Sequence, residues 1–224
     1  MNITILGSCR QDSLYYLNEY RITNIKERLS YPHYTKEILQ VIDFCKNGNI
    51  SPEETIECFR TPILQKKPIY FDEIKDEYKN TQLFFVEIAS KIKYKYKEKY
   101  VHHILYDIGS CNILDRDNIQ VEIQNDEEII QDVLKIKEEL NDRLIIVGHI
   151  VTYNKGSRYE LLKLLEKICI EHNIIFINPV KEIEKEGYNI NDLILNEPLI
   201  AHYNNKGHAV VQKIYKKFIT NFNI

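Results

Sequence analysis

Two short stretches hold the residues best suited to nucleophilic chemistry. Gly7-Ser8-Cys9-Arg10 follows the apolar run 3–6 directly, and His202-Tyr203-Asn204-Asn205-Lys206-Gly207-His208 lies near the other end of the chain. A thiol or hydroxyl that attacks a carbonyl needs a base to take its proton, and histidine is the usual one. Ser8, Cys9 and Ser13 are the nucleophile candidates in the first stretch, the last of them within an Asp12-Ser13-Leu14 triplet. Cys9 stands where a strand turns into a helix. Free N–H groups and the helix dipole there favour an anion, which predicts a lowered thiol pKa, and Arg10 adds positive charge next door. The same N–H groups can hold an oxyanion. Most free cysteines are small packed core residues, and from position alone the two readings of Cys9 stand level. Ser13 falls inside the helix, too late for a strand-end nucleophile.

These residues need a frame. Apolar runs at 3–6, 21–25, 83–88, 144–147 and 174–177 read as five strands. Amphipathic patterns predict helices at 34–46, 52–59, 72–79, 126–141, 157–172 and 205–219, with Ser51-Pro52-Glu53-Glu54 a capped helix start. Residues 91–97 and 100–106 read as a hairpin with lysines facing water. Continuous apolar strands between amphipathic helices predict a three-layer, doubly wound α/β fold of flavodoxin-like type, with about five parallel strands. No Pro/Gly/Ser-rich linker divides the chain, so residues 1–224 are expected to form a single domain, with a mostly helical insertion or cap at about 30–80. In open parallel sheets, ligands bind beyond the carboxyl ends of the strands. That selects Gly7-Ser8-Cys9-Arg10 after the first strand, Ala89-Ser90 after the third, Gly148-His149 after the fourth and Asn178-Pro179 after the fifth.

His202-Tyr203-Asn204-x-x-Gly207-His208 resembles the final block of the SGNH (GDSL-type) hydrolase superfamily, in which H-P-N-x-x-G-H opens the last helix. That superfamily begins with an apolar strand and Gly-Asp-Ser. By this resemblance Cys9 takes the nucleophile's place and Ser8 that of the Asp. The Gly-Ser-Cys turn also resembles the GSCFA family and a capsule-polysaccharide biosynthesis family with a G-N-C turn. The resemblance implies ester hydrolysis or acyl transfer, with a small-molecule or glycan ester as substrate. Cys9 would attack, His202 would serve as base, and Ser90 would help hold the oxyanion.

Two departures accompany it. Leu199 stands where the superfamily has the Asp that orients its histidine, so the acid is absent or comes from Glu197 or Asp192. The Asn of the G-x-N-D block is also missing after the third strand, where Glu87-Ile88-Ala89-Ser90 stands. Both are compatible with a Cys–His dyad. Both are equally compatible with an inactive scaffold that binds a carbohydrate or nucleotide-like ligand. Arg10, Arg60, His149, Tyr153 and Asn204 are the candidate substrate contacts. For His149 and Tyr153 the plainer reading is an ordinary loop residue, and for Tyr31 and Tyr34 it is packing.

Bulk properties narrow the classes. The 224 residues carry 30 Lys+Arg against 33 Asp+Glu, a formal net charge of −3, so no global basic field invites nucleic acid. No apolar run approaches the roughly 20 residues that span a bilayer. Five cysteines without a C-x-x-C pair argue against a disulfide framework or zinc site and for a cytoplasmic setting. His102-His103 alone is too short a spacing to argue a metal, and no cofactor is expected. A second Gly-Ser-Cys at 109–111 reads as a coincidental turn. Oligomeric state is not legible.

Overall fold

The computed structural model describes residues 1–107, 116–195 and 201–222. Strand β1 (Asn2–Leu6) runs into a 3-10 helix (Cys9–Tyr16), and β2 (Arg21–Ile22) follows. A helical stretch comes next: α1 (Ile25–Leu29), α2 (Thr35–Asn47), α3 (Pro52–Cys58), α4 (Arg60–Gln65) and α5 (Lys75–Lys79). Strand β3 (Leu83–Ile88) leads to β4 (Ile92–Tyr96), β5 (Lys99–Tyr100), α6 (Ile104–Asp107) and β6 (Gln120–Ile123). The chain then alternates through α7 (Asp126–Leu140), β7 (Leu144–Gly148), α8 (Ser157–Glu171), β8 (Ile175–Ile177) and α9 (Pro179–Lys185). Strands β9 (Ile194–Leu195) and β10 (His202–Tyr203) precede the final helix α10 (Asn205–Thr220).

The central sheet has the order β2-β1-β3-β7-β8, parallel throughout. This is the doubly wound order of the flavodoxin-like folds. Alternate residues of each strand feed two cores. Phe84, Val86, Ile88, Leu144 and Ile146 pack on one face with α2, α7 and α8. Ile3, Ile5, Phe85, Ile145 and Val147 pack on the other, chiefly against α10. Covering both faces explains why the strands read as apolar runs rather than alternating ones. Thr4 is the polar interruption in β1, and its hydroxyl is satisfied at 2.7 Å by both Thr23 and Thr81.

Three local expectations are corrected. The strand expected at 21–25 stops at Ile22, because Ile25 opens α1 and is buried there. The element after β1 is a 3-10 helix, not an α-helix. Residues 100–106 do not complete a strand. Only Lys99–Tyr100 pairs with β4, and the longer partner of β4 is β6. The buried Tyr34 hydroxyl donates to the carbonyls of Tyr94 (2.9 Å) and Val101 (2.7 Å), and His102 N–H bonds Cys58 O, which draws the chain off the ladder. The Gly-Ser-Cys at 109–111 lies outside the described residues. No described helix is long and apolar enough to cross a membrane.

Candidate active site

The carboxyl edge of the sheet places the turn after β1 against the end of β3. Ser8 N–H donates to Glu87 Oε2 at 2.8 Å, and the Ser8 hydroxyl donates to the same oxygen at 2.5 Å. Such close approach needs a glycine before Ser8. A Cβ on Gly7 would stand 2.7 Å from Glu87 Cβ and 3.2 Å from Glu87 N. Across the carboxylate, His149 Nδ1 lies 3.0 Å from Glu87 Oε1, carried there by the end of β7. Arg10 closes the network: its Nη1 donates to Ser8 Oγ at 3.0 Å and its Nε to Ala201 O at 2.8 Å. Ser8, Arg10, Glu87 and His149 are all at most 5% exposed.

Electrostatics define the resting state of this network. Burial works against an ionised Glu87, but the His149 N–H, the Arg10 charge and the Ser8 hydroxyl outweigh it and hold the carboxyl well below the ordinary range. Burial lowers the His149 pKa, against the opposing pull of Glu87, which favours the neutral imidazole near neutral pH. A neutral ring that donates from Nδ1 carries its lone pair on Nε2. That atom is buried and has no hydrogen-bond partner among the described residues.

A cleft of about 440 Å³ opens over this edge. Cys9, His149, His202 and Ser90 all line it, as do Ser8, Arg10, Tyr31, Arg60 and Arg158. Five of the chain's seven histidines are on its wall, so this is where proton-transfer chemistry is concentrated. Cys9 is half-buried, whereas Cys45, Cys58 and Cys169 are buried. The lowered Cys9 pKa expected from a helix start is not observed. Burial pushes the thiol up, Arg10 pulls it down, and Asp12 and Glu87 push it up again. The resting thiol is therefore protonated at neutral pH and depends on a base.

The segments that carry the two chain-end motifs meet through contacts that include Arg10 to Ala201 O, Ser13 Oγ to His208 Nδ1 at 2.8 Å, and Tyr215 OH to Gln11 Oε1 at 2.7 Å. Ser13 is fully buried. His202 sits on β10 and pairs with Leu195 of β9. Asn204 caps α10, its Oδ1 accepting from Gly207 N–H at 2.9 Å. Gly207 has no room for a side chain, because a Cβ would meet Leu193 O at 2.1 Å. Ser90 Oγ accepts from Ile92 N–H at 2.9 Å, while the Ala89 and Ser90 amides are committed to His33 O. The Arg60 guanidinium stacks 4.5 Å from the Tyr31 ring centroid. Tyr153 is exposed and does not line the cleft. Of the acids considered for His202, Glu197 lies outside the described residues.

The residue that sequence reasoning passed over is Glu87. Its signal was present: an ionisable side chain inside the run Leu83-Phe84-Phe85-Val86-Glu87-Ile88. A carboxylate in a strand buried on both faces needs partners.

Fold and site together define a doubly wound α/β protein with a cysteine–histidine cleft at the carboxyl edge of its parallel sheet. No protein-family model matches the chain, and no curated protein matches it. Among solved structures it is similar to a member of the lipolytic protein G-D-S-L family from Veillonella parvula DSM 2008. The two are 12% identical, with a TM-score of 0.41 over 98% of each chain. It is also similar to LAE5, an alpha/beta hydrolase enzyme from the metagenome of Lake Arreo, Spain. There the identity is 9% and the TM-score 0.46, over 100% of this chain and 96% of the other. At such identities no residue's role passes from either protein to this one.

Proposed function

We propose that the protein performs acyl-ester chemistry, hydrolysis or acyl transfer, with Cys9 as nucleophile, His149 as base and Glu87 as the residue that orients it. The observation that carries this reading is the unpartnered, buried Nε2 of His149. It lies at the far side of a ring anchored on an ionised carboxylate, in the cleft that also holds Cys9. A carboxylate that fixes the imidazole tautomer is the arrangement a general base requires.

His149 Nε2 takes the Cys9 Sγ proton as sulfur bonds to the acyl carbon. The tetrahedral intermediate collapses, the C–O bond breaks, and the leaving oxygen takes the proton back from Nε2. A water or acceptor hydroxyl then loses its proton to Nε2 and attacks the thioester, and Sγ leaves and is reprotonated. The Cys9 N–H and the Ser90 hydroxyl, whose oxygen already accepts from Ile92, are the oxyanion donors. Tyr31, Arg60 and Arg158 suit a polar, glycan-like substrate bearing negative charge. His202, held beside the turn through Ala201, contacts the substrate from the opposite motif.

Turnover of a panel of activated acetyl esters by folded Cys9→Ala, His149→Ala and His202→Ala variants tests this. The first two lose at least about 100-fold, as loss of a nucleophile or general base does, and the third loses far less. If His202→Ala is the inactive variant and His149→Ala is not, the base is misassigned. If all three equal the wild type, which nonetheless gains thermal stability from a glycan or nucleotide, the protein is a binding scaffold.

A further inference from the structure

His33, His102 and His103 come together on the wall of the same cleft. Their ring centroids are separated by 5.3 Å (His33–His102), 4.5 Å (His33–His103) and 4.3 Å (His102–His103). Each can offer one ring nitrogen, and the three nitrogens lie within 4.8 Å of one another. The Asp107 carboxylate is bonded to one of the three rings, that of His103.

The outer contacts are those of metal-binding histidines. His103 Nδ1 is bonded to the Asp107 carboxylate, which orients Nε2 away from it. His102 Nε2 lies 3.1 Å from Tyr31 O, so it is the donor nitrogen, and Nδ1 accepts from Ile104 N–H at 3.1 Å. Ligation through Nδ1 replaces that single bond, which contributes about 1 kcal/mol, and Ile104 borders the cleft where water can reach its N–H. Carbonyl and carboxylate partners on the distal nitrogens are the recurrent second layer around zinc. His33 needs no such release. Its ring makes no hydrogen bond among the described residues, and its backbone is clamped by Glu37 Oε2 and by the Ala89 and Ser90 amides.

We infer that His33, His102 and His103 form a three-histidine site for a divalent transition metal, zinc foremost, with its fourth position open to the cleft. Zinc bonded at about 2.0–2.1 Å holds its nitrogens about 3.3 Å apart, so small side-chain rotations close the set. The Arg60 guanidinium on the same cleft favours an anionic fourth ligand, such as hydroxide or a substrate carboxylate. The inference stands on ring geometry and does not depend on the acyl reading. Sequence alone showed only the adjacent pair at 102–103; the fold adds His33 from 69 residues upstream.

The test uses the full chain, stripped with chelator and titrated with Zn²⁺ by calorimetry and with Co²⁺ by visible absorption. One equivalent binds, with tetrahedral cobalt bands. Asp107→Asn weakens binding about 10–100-fold, the double variant His33→Gln/His103→Gln abolishes it, and His202→Gln leaves it intact. Crystals of the unaltered protein soaked in zinc show an anomalous peak among the three rings, a readout that needs no variant to fold. No uptake, equal uptake by the double variant, or a peak elsewhere overturns the inference.

Discussion

Glu87→Gln separates the orienting role of the carboxylate from its bulk. Glu87 Oε2 receives the Ser8 amide at 2.8 Å, and a backbone N–H cannot turn away from its acceptor. The glutamine carbonyl must therefore occupy that position, and its NH2 group falls at Oε1, facing His149 Nδ1 3.0 Å away. A donor there forces Nδ1 to become the acceptor, and the ring proton moves to Nε2. The lone pair that would take the Cys9 proton is lost while every heavy atom keeps its place. A wrong-tautomer histidine in a catalytic triad costs about 10⁴-fold in kcat, or about 5.5 kcal/mol. The same change takes a buried countercharge from Arg10 and weakens both Ser8 hydrogen bonds to the side chain, for about 1–3 kcal/mol of stability. At about 2–4 °C per kcal/mol for a chain of this size, Tm falls by several degrees and the protein remains folded. Steady-state turnover of an activated ester, measured beside circular dichroism and a thermal melt, reads both quantities. Glu87→Gln that is folded and within threefold of wild-type kcat refutes the orienting role.

Other consequences are as specific. Gly7→Ala drives a Cβ to 2.7 Å from Glu87 Cβ, so it should cost about 1–3 kcal/mol by overpacking and lower turnover by separating Ser8 from Glu87; a denaturant melt and the ester assay follow both. Tyr34→Phe strips the donor shared by the Tyr94 and Val101 carbonyls. Tyr94 O keeps the Val101 N–H at 3.0 Å, but leaving the Val101 carbonyl unpaired costs about 1–3 kcal/mol, visible as a shift in the denaturation midpoint, while turnover in the folded variant changes little. The rate of Cys9 alkylation should rise with pH through a midpoint above the roughly 8.5 of a free thiol, because burial raises its pKa. A Cys111→Ser background isolates the signal, since Cys45, Cys58 and Cys169 are buried. A midpoint below 7 would contradict that assignment.

The layered fold was legible because both sheet faces are covered, so Leu83–Ile88 and Leu144–Gly148 read as apolar runs of strand length. The cleft edge was legible for the same reason, since a doubly wound sheet puts its ligands beyond its strand ends. The base was harder to read. His202 belongs to a recognisable motif, whereas His149 stands alone in sequence and meets Glu87 only through adjacent parallel strands, 62 residues apart. The sign of the Cys9 shift was not legible either. Helix-start electrostatics are local and visible in sequence, but the desolvation that outweighs them is a tertiary quantity. The three-histidine cluster was hidden because the chain leaves the hairpin ladder at Val101, drawn by Tyr34 and Cys58, and so carries His102 and His103 to His33. Strand β6 was missed because its four residues are exposed and short, giving no apolar run to detect.

Intact-protein and peptide mass spectrometry after brief exposure to an activated acyl ester tests the central claim most directly. A single acyl adduct on Cys9 should form rapidly in the wild type, turn over in water, and form at least about 100-fold more slowly in His149→Ala. An adduct on Ser8 or Ser13, or an adduct on Cys9 whose rate is indifferent to His149, would contradict it.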